Sequence, residues 1–120
     1  MRNYQKLDAW KSSMQLAKEI YDLTKKFSKE ELYALTSQAK RAAVSIPLNI
    51  AEGMGRQYKK DTIQFLHIAR SVYELETVIN IAVMVGIIHT VEFEGLMPRL
   101  DEVIKLLNGL INYHEKSTLK

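Results

Sequence analysis

Apolar residues recur along this chain at spacings of three and four, the period of a helix with one face turned inward. The first such stretch predicts a helix over residues 8–27. Leu7, Trp10, Met14, Ala17, Tyr21 and Thr24 make its stripe, while Lys11, Lys18, Lys25 and Lys26 fall largely off it. A stop and a restart follow at Phe27-Ser28-Lys29-Glu30-Glu31-Leu32. Ser28 with Glu31 reads as a capping box, and Phe27 with Leu32 as a hydrophobic staple around it. A second helix is predicted over 29–54, with a stripe of Leu32, Leu35, Ala39, Ala42, Ile46, Asn49 and Gly53. Pro47 inside it removes a backbone donor and crowds the preceding turn. That predicts a kink or a break near Ala43–Ser45.

Gly53 and Gly55 are expected to end that helix, since glycine suits the left-handed C-terminal position. Asp61, with Gln64 three residues on, predicts the cap of a third helix over 61–86. Its stripe is Phe65, Leu66, Ala69, Val72, Tyr73, Glu76, Ile79 and Val83, and Gly86 closes it. Thr90 is expected to cap a fourth helix over 90–115, with Glu92 favourable to its N-terminal dipole. There Phe93, Leu96, Leu100, Val103, Leu107, Leu110 and His114 repeat regularly, and Pro98 is expected to bend the first turns. Short connections make neighbouring helices antiparallel. The fold class is therefore all-α, one domain over 1–120 built as an up-down-up-down four-helix bundle.

Composition mostly removes possibilities. The chain has 120 residues, 47% hydrophobic and 26% charged, with five Gly and two Pro, which leaves little room for a turn-rich β fold. It has no Cys, so disulfides, thiolate metal sites and cysteine nucleophiles are all excluded. The longest apolar stretch, Val78–Ile88, is broken by Asn80 and Gly86 and is far short of the roughly 20 residues that cross a bilayer. No leader segment is visible, and the expectation is a cytoplasmic protein with no membrane partner. Carboxylate-bridged metal bundles need Glu-x-x-His on two helices. That motif is absent, and His67, His89 and His114 are scattered. No Gly-x-Ser-x-Gly, P-loop or Gly-x-Gly-x-x-Gly occurs. The expectation is a protein that is not an enzyme, with no metal and no cofactor.

Two polar groupings carry what remains. Gln38, Arg41, Ser45, Asn49 and Glu52 follow one another at three, four, four and three residues, so they line one face of the second helix beside its apolar stripe. The third helix adds Arg70, Glu74 and Glu76. Buried polar groups must find partners, so these residues predict a structural network between helices, Arg41 or Arg70 with Glu52, Glu74 or Glu76. A polar ligand site and plain surface exposure are the alternatives. The second grouping is one of charge. The whole chain carries +3, yet Lys40 to Arg70 holds six basic residues against two acidic ones, +4, and the rest sums to −1. Arg56, Lys59 and Lys60 surround Tyr58 in one turn, a pattern that offers phosphate pairing together with base stacking. The candidate nucleic-acid-binding residues are Lys40, Arg56, Lys59, Lys60 and Arg70. The alternative is a solvated basic loop.

The stretch Leu35–Arg56 contains Gln38-x-x-Arg41-Ala42-x-x-Ser45-Ile46-Pro47-x-Asn49-Ile50-Ala51-Glu52-Gly53. With Leu7-Asp8-Ala9-Trp10, Phe65–Ser71 and Glu74-Leu75-Glu76, it resembles the S23, or 23S rRNA intervening-sequence, protein family over about residues 4–115. The resemblance departs at Lys40, where a second Arg often sits, and at Ser71, where a Gly-Ser pair is common. It implies a left-handed antiparallel four-helix bundle that assembles as a homopentamer, with no established enzymatic activity. It also implies a basic surface that binds nucleic acid, structured rRNA being one candidate. The alternative it implies is a protein-interaction adaptor, such as a reverse-transcriptase accessory subunit. Fold and function are separable, so membership alone assigns no role.

Overall fold

A computed structural model describes residues 2–27 and 33–116. Its α-helices are α1 (Asp8–Thr24), α2 (Tyr33–Met54), α3 (Lys59–Ile68), α4 (Val72–Met84) and α5 (Thr90–Lys116). Short 3-10 turns occupy Asn3–Lys6 and Ala69–Ser71. The second of these joins α3 to α4, so the two helices act as one rod with a tightened turn in its middle. The result is four helical rods in a body of 50 × 24 × 22 Å, with no strand among the described residues. The expected Ser28–Glu31 capping box and Leu32 of the staple lie outside the described residues.

Side-chain pairs give the running directions. Ser12 and Glu19 of α1, and Lys26 just after it, meet Glu102, Arg99 and Glu92 of α5 in descending order. Thr62 and Ser71 of the third rod reach Gly53 and Ala42 of α2. His67 and Arg70 meet Glu115 and Asn108 of α5. Each of these neighbouring pairs therefore runs antiparallel.

The rods enclose one core. Leu16, Ile20, Ile46, Ile50, Leu66, Leu75, Ile79, Leu100 and Leu107 are its largest fully buried side chains. The predicted stripe of α5 is largely the buried one, through Leu96, Leu100, Val103 and Leu107. The stripe of α1 is so only in part, since Thr24 is buried while Leu7, Trp10 and Ala17 pack half-buried against the edge of the core. Its buried face is Ala9, Ser13, Leu16, Ile20 and Thr24, while Met14 and Tyr21 are 45% and 42% exposed. Small residues at 9, 12 and 13 let the neighbouring helices approach closely, and the larger side chains chosen from periodicity flank that contact. In α2, Ile50 takes the core position expected for Asn49. In the third rod, Leu75 is buried while Tyr73 is exposed and Glu76 only half-buried.

α2 ends at Met54 and α5 begins at Thr90 as expected, but the prolines and the caps behave differently. α2 runs unbroken through Pro47, and α5 through Pro98. Proline removes only one intrahelical bond, and Ala43, Ile46 and Ile50 hold α2 in the core on both sides of it. α3 begins at Lys59 with Tyr58 at the N-cap, so Asp61 lies in the first turn and does not cap the helix. Thr90 is the first residue of α5 and not its cap. Glu92 instead reaches back to the His89 backbone N–H at 3.0 Å. That bond, with Lys26 beside it, holds the Glu92 carboxyl below its usual range. Among the glycines only Gly86, in the α4–α5 turn, has a left-handed backbone, at φ 81°. Gly53 serves a different need. A Cβ there would lie 3.0 Å from the Phe65 Cβ and 3.1 Å from the Thr62 carbonyl oxygen.

Candidate nucleic-acid interface

The chain turns from α2 into α3 through Gly55–Tyr58, and this corner presents Arg56, Lys59 and Lys60 together. Tyr58 is 65% exposed between them. Gln57, Tyr58, Lys59, Lys60 and Ile63 line one shallow groove. A second groove on the same corner holds Arg56 with Arg2 and Tyr4 from the N-terminal turn. Arg2 is thus a fourth cation at this end. Nothing in the linear spacing pointed to it, because the antiparallel return of α2 beside α1 is what brings residue 2 to residue 56. α3 begins at this corner without a side-chain cap, and Asp61 in its first turn offsets the positive end of the helix.

Arg56 is already engaged. It pairs with Glu52 at 3.0 Å, and its guanidinium lies 4.4 Å from the centre of the Phe65 ring. Both partners of the ion pair are about half exposed, and such pairs contribute only about 0.2–1 kcal/mol, so a phosphate competes readily for the guanidinium.

The other two candidate cations lie elsewhere. Lys40 is sixteen residues back along α2, about 24 Å at 1.5 Å per residue. Its ammonium sits 4.8 Å over the Tyr21 ring. Arg70 is in the middle of the third rod and donates to Asn108 at 2.7 Å. The fold therefore gathers Arg56, Lys59 and Lys60 at one end and places Lys40 and Arg70 outside that cluster.

The expected inter-helix network is not formed among the described residues. Among the described residues, no bond joins Arg41 or Arg70 to Glu52, Glu74 or Glu76. Asn49 donates to the Ser45 carbonyl at 2.7 Å and to its hydroxyl at 3.0 Å, both one turn back on the same helix. Gln38, Arg41, Glu52 and Glu74 are exposed. The physical reason is rotation. The polar face of α2 points outward from the bundle, so solvent satisfies it. An Asn49→Ala substitution is accordingly expected to cost no more than about 1 kcal/mol in urea unfolding.

The polar network lies instead between α1 and α5, where periodicity gave no signal. The buried Ser12 hydroxyl donates to Glu102, and Arg99 pairs with Glu102 at 3.0 Å and with Glu19 at 3.4 Å. The Ser12 hydrogen bond, aided by Arg99, holds the Glu102 carboxyl below its ordinary 4.5. A carboxylate with a lowered folded pKa contributes stability above its unfolded value and loses it as pH falls through the folded one. Thermal stability should therefore fall as pH drops below about 4.5. A Ser12→Ala variant should move the Glu102 titration, followed by NMR, back toward 4.5.

No group of three His, Asp or Glu among the described residues is arranged to hold a metal ion. No helix among them is long and apolar enough to cross a membrane.

Comparison with known proteins gives two similarities. A family profile described as "23S rRNA-intervening sequence protein" matches residues 5–109. A crystal structure from Bacteroides thetaiotaomicron, of a protein of unknown function from the S23 ribosomal protein family, superimposes with a TM-score of 0.79. It is 27% identical and covers 86% of this chain and 97% of its own. None of the curated proteins matches.

Proposed function

The chain belongs to the 23S rRNA-intervening sequence protein family, and from that premise we propose that it is a non-enzymatic RNA-binding protein that works as a homo-oligomer. The observation that carries the reading is the corner where the exposed Tyr58 shares one groove with Lys59 and Lys60, while Arg56 shares the adjoining groove with Arg2. Phosphate pairing supplies most of the affinity at such a corner, and an exposed tyrosine offers a stacking face to an unpaired base. Structured RNA with a loop or bulge presents both. Self-assembly multiplies the effect, because each added copy brings another basic corner and the copies bind one RNA with a raised effective concentration.

The test is binding of a structured RNA hairpin at low salt. Arg56→Ala/Lys59→Ala/Lys60→Ala is expected to weaken binding by at least about tenfold, at roughly 0.5–1.5 kcal/mol per lost contact. Lys40→Ala/Arg70→Ala, with its cations outside the cluster, is expected to change binding less than threefold, about 0.6 kcal/mol. Equal affinity of the triple variant and the wild type would remove the corner from the account.

A second reading, a protein-interaction adaptor such as a reverse-transcriptase accessory subunit, draws on the opposite end of the bundle. There Met84, Val85 and Val91 stand out at the α4–α5 turn, Met84 at 84% exposure. This reading expects co-purification with a protein partner and weak RNA affinity by itself.

A further inference from the structure

This inference deepens the RNA-binding reading above, on which its RNA form rests, by assigning the base that the second groove of the corner takes. Arg2 and Tyr4 of the N-terminal turn line that groove together with Leu48, Glu52 and Arg56. Its volume, about 460 Å³, is in the range of small-ligand sites. The half-buried Tyr4 ring meets Trp10 edge-to-face, with ring centres 5.5 Å apart, and that contact braces it as a stacking surface. A carboxylate opposes phosphate binding, yet this groove carries one beside two arginines. Glu52 is about half exposed. Arg56 engages its Oε2 at 3.0 Å, and among the described residues its Oε1 accepts no hydrogen bond. Two acceptor oxygens on one carboxylate match two adjacent donors, the N1–H and the N2 amino group on the pairing edge of guanine. Adenine and cytosine offer a single amino group on that edge, and uracil a single N–H.

We propose that this groove binds a guanine nucleotide, with the base stacked on Tyr4 and read by Glu52 while Arg2 and Arg56 take the phosphate. The ligand replaces a weak surface ion pair with a charge-assisted contact to each of its members, the phosphate for Arg56 and the base donors for Glu52. Leu48, 57% exposed beside them, adds apolar cover for the ring. The guanine is an unpaired one in a structured RNA or that of a free nucleotide, and both present this chemistry.

The test uses RNA hairpins identical except for one unpaired loop base, which is guanine, inosine or adenine. Free GMP and AMP are titrated in parallel, with the Tyr4 ring followed by NMR. The guanine hairpin is expected to bind at least about fivefold tighter than the adenine one, with inosine, which lacks the N2 amino group, in between. Glu52→Gln sets an amide donor against the guanine donors, so the hairpin affinities should converge to within about twofold. A damaged fold or an altered overall charge moves all three affinities together, whereas the loss of the carboxylate moves their ratio. A guanine preference that Glu52→Gln abolishes assigns the ligand to RNA. Equal hairpin affinities, with Tyr4 signals moved by GMP and not by AMP, assign it to a free nucleotide. Equal affinities without a GMP-specific shift, or a preference that survives Glu52→Gln, would overturn the guanine site and leave the RNA-binding corner standing. A wild type that binds none of the hairpins would overturn the RNA-binding reading, and the site then stands or falls on the GMP shift.

Discussion

Leu16→Ala is expected to cost about 2–5 kcal/mol of folding stability, whereas Met14→Ala, two positions away, costs less than about 1. The Leu16 side chain is fully buried between the rods, so truncation loses both its transfer free energy and the contacts around the cavity left behind. Met14 is nearly half exposed and loses little of either. Thermal unfolding separates the two clearly, with a fall of roughly 10–20 °C for the first and a few degrees at most for the second. The pair decides which stripe of α1 is the core. Reversed costs would place the Met14–Tyr21 row inside.

The second large effect is a difference of sign. Gly53→Ala is expected to destabilise the chain, and Gly109→Ala to stabilise it. Both residues are helical, and alanine gains about 1 kcal/mol over glycine in a helix interior. At Gly109, in α5, no atom outside the helix backbone lies within 4 Å of the added Cβ, so that gain stands. At Gly53 the new Cβ meets the Phe65 Cβ at 3.0 Å and the Thr62 carbonyl oxygen at 3.1 Å. Neither atom yields without moving α3, and overpacking of this kind costs about 1–3 kcal/mol. It also strains the buried bond from the Thr62 hydroxyl to the Gly53 carbonyl, 2.8 Å long. Gly53→Val, with two further methyl groups, should exceed the Ala variant. Urea unfolding of the three variants checks the order. A Gly53→Ala chain more stable than wild type would mean that α2 and α3 are farther apart than described.

The all-helical class and the four rods were legible because long apolar repeats with short connections leave few arrangements. The regular repeat of α5 located its buried face directly. α1 misled because it carries two apolar rows, and periodicity favours the one with the larger side chains. The core row uses Ala9, Ser12 and Ser13, whose value lies in close approach, a property of the neighbouring helix as much as of their own. Gly53 was read only as part of a helix stop, and α2 does end at Met54, but its packing role was hidden for the same reason. Its partner Phe65 is twelve residues away, and only the α2–α3 packing connects them. Pro47 carries the complementary lesson, since tertiary packing outweighed a local preference to break. At the candidate interface, Arg56, Lys59 and Lys60 were visible as neighbours in sequence. Arg2 was not, because it joins them only through the fold. Lys40 and Arg70 were grouped with them by a charge count that has no knowledge of the 24 Å or so of helix between Lys40 and Arg56.

The central claim, RNA binding at the Arg56–Lys60 corner, is tested most directly by the salt dependence of affinity for a structured RNA. Each neutralised phosphate contributes about −0.7 to −0.9 to the slope of log K against log salt. Four cations at the corner predict a slope of about −3 for each bound copy, shallower by about 2 in Arg56→Ala/Lys59→Ala/Lys60→Ala. An affinity independent of salt, or the same slope in the triple variant and the wild type, would contradict it.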